Sequence, residues 1–247
     1  MGAWFQTQNK SLKHLRMAQF SILSIQPQNL PYRTPQQWRS WLNDLTEWQH
    51  DLLHNHKEEG GEHYRYPMVQ YRHNGFCGIN EGGTLLMALL PLLLAETQLS
   101  MDMQREEIQM LTQPKQYRII NWQPFHAENY QIWQETNGII ERIDLLQNIL
   151  TGHILGFCRS VGFEIPDKSL KVKLIGSLKE VGYKKFSTQN ADLWRLTFDV
   201  LFEANIQLPQ GIGLGKGVSK GKGILLHQIS APIKDTRVKP VSAVHKN

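Results

Sequence analysis

The chain has few cysteines and no long apolar segment. Its 247 residues include only Cys77 and Cys158, neither in a CxxC pair, which excludes a disulfide framework and gives no indication of a cysteine zinc site. The longest apolar run, 85–95, has 11 residues and contains Pro91, whereas a membrane-spanning helix needs about 20. The first 20 residues lack the apolar core of a secretory signal. The sequence therefore predicts a cytoplasmic protein with no membrane partner.

Acidic residues are nearly absent from the C-terminal end. From Gly211 onward there are seven basic residues and one acidic residue, Asp235. The net charge of the chain is +5, so the remainder of the chain is close to neutral. A cationic segment without an amphipathic basic helix favours nucleic acid over lipid as the partner.

The first half of the chain shows alternating strand and helix patterns. Alternation at 17–26 predicts a strand, and apolar residues at helical spacing from Pro35 predict one helix that ends near Gly60. Segments 64–72 and 76–79 predict a hairpin that turns at Asn74-Gly75. A helix over 85–99 and a strand over 117–122 complete the order β-α-β-β-α-β, which is the ferredoxin-like order.

The second half repeats this kind of pattern. Helical spacing predicts a long helix from Asn137 to about Val161, followed by four candidate strands at 170–175, 181–186, 194–202 and 224–229. The sequence thus predicts an α+β fold with two ferredoxin-like (RRM-like) domains in tandem, over residues 17–125 and 126–229. Residues 1–16 and 230–247 are expected to be peripheral or mobile ends.

A glycine-rich loop precedes the last predicted strand. The sequence QGIGLGKGVSKGKGI contains neither a Walker A motif nor a dinucleotide-binding motif. Its glycines let the backbone approach a ligand closely, and its three lysines suit phosphate groups. A flexible hairpin between strands is the alternative. The residues of this loop predicted to contact nucleic acid are Gly213, Gly215, Lys216, Gly217, Ser219, Lys220, Gly221 and Lys222.

Histidines cluster at the end of the first predicted helix, in HDLLHNHKEEGGEHYRYP. If this helix is continuous from Trp38, its phase turns His54 away from the core, whereas the direction of His56 stays open. A histidine at a helix C-terminus suits acid and base chemistry. Polar surface is the plain alternative. His50 and His54 also have spacing that can chelate zinc, but there is no HExxH motif and no clear third ligand.

Taken together, these motifs resemble the CRISPR-associated repeat-processing endoribonucleases, the Cas six family. The glycine-rich segment 205–225 is similar to that family's loop before the last strand, although Gly217 and Lys222 stand where related loops have a serine and an aromatic residue. Segments 51–72 and 78–82 are similar to a subgroup with LLHNH, YRYP and QY elements. A helix segment at 145–155 is a weaker third element. The likeness spans about 17–229.

The resemblance implies an activity and a set of roles. It implies cleavage of CRISPR precursor RNA within repeats by attack of a ribose 2′-hydroxyl, without metal or cofactor, leaving a 2′,3′-cyclic phosphate and a 5′-hydroxyl. It implies that His54 is the general acid or base, with His56 as the rival, and that Lys57 stabilises charge. Arg65 is a predicted RNA-binding residue and a weaker substitute for Lys57. CRISPR repeat RNA is the implied partner. Whether other CRISPR effector or adaptation proteins are also partners stays open.

Two other classes of function remain open at this point. One is a non-catalytic subunit of a CRISPR ribonucleoprotein that binds repeat RNA. The other is a metal-dependent hydrolase that uses the histidine cluster.

Overall fold

The computed structural model describes residues 17–54, 66–166, 168–175, 179–188 and 191–227. It contains eight strands: β1 (Met17–Pro27), β2 (Val69–Arg72), β3 (Gly75–Ile79), β4 (Leu99–Trp122), β5 (Val172–Leu174), β6 (Lys179–Thr188), β7 (Ala191–Gln207) and β8 (Ile224–His227). It contains six α-helices: α1 (Pro35–Leu45), α2 (Asp51–His54), α3 (Glu81–Ala88), α4 (Leu90–Glu96), α5 (Ala127–Glu135) and α6 (Ile139–Ser160). No helix in these ranges is long and apolar enough to cross a membrane.

The N-terminal half is an antiparallel sheet with helices on one face. Its strands lie in the order β2-β3-β1-β4, and with α1 and α3 they give the predicted β-α-β-β-α-β sequence of a ferredoxin-like unit. A capping box between Thr34 and Gln37, with Pro35 at the first position, begins α1. Buried Leu23 and Ile25 of β1 belong to the same apolar cluster as Trp38 of α1, so this core lies between helix and sheet.

The 24-residue strand β4 belongs to both halves of the molecule. Its register with β1 runs from Leu99 to Gln109, and its register with β7 begins at Gln109. The sequence predicted only the segment 117–122 as a strand. Residues 100–105 are all exposed, Met101 and Met103 included, so no buried face marks the first part of β4 as a strand. The two units therefore share one continuous eight-stranded sheet. The predicted domain boundary between 125 and 126 remains a prediction.

The C-terminal half packs α6 against the sheet. The buried side of α6, including Leu146, Leu150 and Ile154, joins a core cluster with residues of β4 and β7. The helix predicted from 137 to 161 agrees with α6, and the four predicted strands correspond to β5, β6, β7 and β8. Helix α5, in which only Trp133 is buried, was not predicted because so little of it faces the core.

The prediction of one continuous helix from Pro35 to Gly60 is wrong. Helix α1 ends at Leu45, where the Thr46 hydroxyl donates to the carbonyl of Leu42 at 2.9 Å. Glu47 and Trp48 follow with left-handed φ angles of 50° and 60°, which a helix cannot accommodate. The helical phase that turned His54 away from the core therefore has no basis, since α2 is a separate element.

Two other boundaries differ from the predictions. The hairpin turns at His73 and Asn74, with Arg72 opposite Gly75 in the register, one residue earlier than expected. The apolar helix predicted over 85–99 is divided into α3 and α4 at Leu89, and Leu99 already belongs to β4. Pro91 lies in the first turn of α4, where the missing amide hydrogen costs nothing.

Candidate functional site

The glycine-rich loop connects β7 to β8 and has a defined backbone. It contains a 3-10 turn at Val218–Lys220, flanked by Gly217 and Gly221 with left-handed φ angles of 70° and 72°. The amide of Leu214 donates to the carbonyl of Gly223 at 2.8 Å. Residues with side chains rarely adopt such φ angles, so glycine is required at both ends of the turn. These features favour a loop with a fixed backbone conformation over a flexible hairpin.

A buried glutamine joins the root of this loop to β2. The amide of Gly213 donates to Oε1 of Gln70 at 3.1 Å, and the Tyr66 hydroxyl donates to the carbonyl of Gly213 at 2.8 Å. Nε2 of Gln70 in turn donates to the Tyr66 hydroxyl at 2.8 Å. Gln70 is fully buried, and leaving its amide without partners would cost on the order of 1–3 kcal/mol.

Two charged or titratable groups belong to the same network. Nη2 of Arg72 donates to Oε1 of Gln70 at 2.7 Å and also to the carbonyl of Gly211. Burial raises the pKa of Tyr66 well above its ordinary value, so this hydroxyl stays protonated and keeps donating. Arg72 and Gln70 therefore hold the loop in place, and they do so from the N-terminal unit.

The middle of the loop also packs on the N-terminal unit. A Cβ atom on Gly221 would lie 2.9 Å from Cγ of Pro35 and 3.0 Å from the carbonyl oxygen of Tyr71. On its other side, the loop is bound to the end of β4, because the amide of Lys216 donates to the carbonyl of Gln123 at 2.9 Å. The loop thus bridges α1, β2 and β4.

The predicted RNA-binding residues differ in exposure. Lys216 is exposed, whereas Ser219, Lys220 and Lys222 are half-buried. Gly213 is buried, and its amide donates to Oε1 of Gln70. Among the predicted RNA-binding residues of the loop only Lys216 is exposed, so it is the most accessible of the three lysines.

The predicted catalytic residues lie at the edge of what the structure describes. His54 ends α2, and only its backbone is described. His56, Lys57 and Arg65 lie outside the described residues. The residue before His54 is well defined, since the Tyr71 hydroxyl donates to the carbonyl of Leu53 at 3.2 Å. Strand β2 therefore contacts both the end of α2 and the glycine-rich loop.

A histidine that the sequence analysis did not single out lies on the other side of the loop. Nε1–H of Trp122 donates to Nδ1 of His153 at 3.2 Å. Because an indole is only a donor, His153 carries its hydrogen on Nε2. Burial, followed by the charges of Lys216 and His126, lowers the pKa of His153 to about 4, so His153 is neutral at pH 7. A Cβ atom on Gly215 would lie 2.8 Å from Nε1 of the same Trp122.

The sequence carried a signal for the residues that hold the loop. Gln70 and Arg72 are polar residues two positions apart, so they share one face of a strand, and with Tyr66 they lie in the YRYPMVQYR segment. The sequence analysis used that segment as a likeness and gave a role within it to Arg65 but to none of these three residues. Among the described residues no group of three or more histidines, cysteines and carboxylates lies close enough together to hold a metal ion.

Two family models match the chain. The model of the Cas6b N-terminal domain matches residues 18–117, and the model of the Cas6b C-terminal domain matches residues 109–228. They overlap over 109–117, within β4, where the register passes from β1 to β7. A comparison with curated proteins finds no match.

Solved structures with the same fold include two of Cas6b. A crystal structure of Cas6b has a TM-score of 0.69 at 23% identity and covers 85% of this chain and 100% of that chain. A crystal structure of the CRISPR RNA processing endoribonuclease Cas6b has a TM-score of 0.64 at 24% identity, with the same coverage. Csf5, a CRISPR-Cas type IV Cas6 crRNA endonuclease, has a TM-score of 0.56 at 13% identity, again with 85% and 100% covered. These likenesses confirm the predicted fold class.

Proposed function

The chain belongs to the Cas6 family, and from this premise we propose that it is a metal-independent endoribonuclease that cleaves CRISPR precursor RNA within its repeats. The observation that carries the proposal is the double contact of β2. Tyr71 contacts the residue before His54 through its hydroxyl and lies against Gly221 of the glycine-rich loop through its carbonyl. A catalytic histidine and a phosphate-binding loop would thus be fixed to one strand.

The proposed reaction is an internal transfer of a phosphate ester. The 2′-hydroxyl oxygen of the nucleotide before the cut attacks the adjacent phosphorus, and the bond from phosphorus to the 5′-oxygen breaks. A general base takes the proton from the 2′-hydroxyl, and a general acid gives a proton to the departing 5′-oxygen. The products are a 2′,3′-cyclic phosphate and a 5′-hydroxyl, so no water enters this step.

Different residues of this chain would transfer the proton, stabilise charge and bind the flanking phosphates. His54 or His56 would move the proton, and Lys57, or else Arg65, would stabilise the negative charge that grows on the phosphate oxygens. The lysines of the glycine-rich loop would hold the flanking phosphates, which positions the reacting bond. CRISPR repeat RNA is therefore the proposed partner.

The experiment that tests the proposal is cleavage of CRISPR repeat RNA in the presence of EDTA. We expect one cut per repeat, at the same position and rate with and without the chelator. Loss of cleavage in EDTA would contradict the proposal and indicate water activated by a metal ion. Tight binding of the repeat without any cut would instead identify a non-catalytic subunit that binds RNA.

Replacing Lys216, Lys220 and Lys222 together with alanine should weaken RNA binding and flatten its dependence on salt. Each phosphate that a protein neutralises on a single strand contributes about −0.7 to the slope of log K against log salt. The slope should therefore change by up to about 2. Affinity for the cognate repeat and for an unrelated RNA should fall by similar factors, because phosphate contacts carry no sequence information.

A matched control removes the same charge elsewhere. The exposed lysines Lys168, Lys171 and Lys173 lie in or just before β5, at the far end of the strand order from β2. Replacing these three with alanine should leave the slope nearly unchanged. An equal change in both triple variants would mean that net charge, and not the loop, attracts the RNA.

A further inference from the structure

We propose that Tyr32 and His73 form a stacking platform for one unpaired nucleobase of the bound RNA, beside the glycine-rich loop. This inference deepens the proposed function and rests on it, because it requires that the chain binds RNA. Tyr32 precedes α1, and His73 lies in the turn between β2 and β3. No motif of the sequence analysis includes either residue.

The two rings form one broad aromatic surface. Their planes differ by 10° and their centroids are 5.8 Å apart. The Tyr32 hydroxyl is hydrogen-bonded to Nδ1 of His73, which brings the edge of one ring to the edge of the other. The rings therefore lie side by side, and neither covers the face of its partner. Tyr32 is 73% exposed, so this surface is accessible to a ligand.

The platform is held in position from below. Nε1–H of Trp38 donates to the carbonyl of His73 at 3.3 Å, which joins the hairpin turn to α1. The guanidinium of Arg33 lies 5.3 Å from the ring centroids of Trp38 and of Trp41. These contacts hold the hairpin turn beside α1, and the hydrogen bond to His73 orients the Tyr32 ring, so less entropy would be lost on binding.

The platform lies beside the glycine-rich loop. Pro35, three residues after Tyr32, and Tyr71, two residues before His73, are the two residues against which Gly221 packs. An aromatic surface therefore adjoins a loop that carries three lysines. This pairing of aromatic faces for bases with cations for phosphates is how proteins bind single-stranded nucleic acids.

A single exposed tyrosine would not support this inference, because scattered exposed aromatic residues are normal. What distinguishes Tyr32 is its alignment with a second ring and its place beside the loop. Stacking of one base on an aromatic side chain suits an unpaired base of any identity. The platform would consequently add affinity without reading sequence.

The test measures binding of two RNAs to the full chain. One is a CRISPR repeat RNA with a 2′-deoxy nucleotide at the cut, which prevents cleavage. The other has the same length and backbone but carries abasic riboses at its unpaired positions. Tyr32→Ala should weaken binding of the first RNA about 5- to 150-fold, the range expected for one stacked base. Binding of the abasic RNA should be unchanged, and so should the salt slope, because a neutral ring releases no counterions.

Two further variants sharpen the test. Tyr32→Phe keeps the ring but removes its hydrogen bond to His73, so it should weaken binding of the repeat less than Tyr32→Ala does. Ile140→Ala removes a side chain of similar exposure, 69%, at the start of α6, and it should bind both RNAs normally. The platform is refuted if Tyr32→Ala binds the repeat as well as the wild type does, or if it loses affinity equally for the abasic RNA.

The same variants separate the platform from the proposed function. If Tyr32→Phe lost cleavage of an unmodified repeat with binding unchanged, the hydroxyl would act in the reaction, which contradicts a role in stacking. If the wild type bound the repeat through Tyr32 but never cut it, the platform would stand and the endoribonuclease would not. If the wild type bound neither RNA, both proposals would be overturned.

Discussion

The His54→Ala variant should cleave repeat RNA about 10² to 10⁴ times more slowly than the wild type, the loss expected when a general acid or base is removed. Its affinity for the repeat should be nearly unchanged, because the imidazole would act on the reacting atoms and not on the flanking phosphates. The measurement is the rate of a single turnover with enzyme in excess, together with the dissociation constant for a repeat that cannot be cut.

Two neighbouring histidines provide the controls for this variant. His56→Ala should be milder, and a larger loss at His56 than at His54 would reverse the assignment between them. His50 lies just before α2. Because the proposed reaction gives His50 no role, His50→Ala should cleave normally. If all three variants cleaved at the wild-type rate, catalysis by these three histidines would be excluded.

The order of elements was predictable because it depends on local patterns. Alternation in β1, helical spacing in α6 and the turn residues near Gly75 each reveal one element without knowledge of the rest. The end of α1 could not be read in this way. It depends on the Thr46 hydroxyl and on left-handed φ angles at Glu47 and Trp48, and none of these three residue types is a usual signal for helix termination.

The candidate site was only partly predictable for a different reason. Glycine and lysine content identified the loop, since composition is visible in a short window. Its attachment was not visible, because the bond from Gly213 to Gln70 joins residues 143 positions apart. The contact between Tyr32 and His73 joins residues 41 positions apart. The first contact depends on how the two units pack on the shared strand β4, and the second depends on how the N-terminal unit folds.

The second large expected loss of cleavage follows from a change in the RNA and not in the protein. A single 2′-deoxy substitution at the nucleotide before the cut should abolish cleavage, because it removes the oxygen that attacks the phosphorus. Binding should stay close to normal, since the phosphates that the loop would hold are unchanged. The matched control is the same substitution one nucleotide after the cut, which should leave the rate almost unaffected. Cleavage of the substituted repeat at its usual position would exclude the proposed nucleophile.

The most direct measurement of the central claim is the chemistry of the ends that one cut produces. Unmodified repeat RNA is cleaved in EDTA, and the fragments are analysed by mass spectrometry. The proposed reaction predicts an upstream fragment that ends in a 2′,3′-cyclic phosphate, 18 Da lighter than the hydrolysed monophosphate, and a downstream fragment with a 5′-hydroxyl. An upstream 3′-hydroxyl with a downstream 5′-phosphate would show that water attacked the phosphorus, and it would contradict the account.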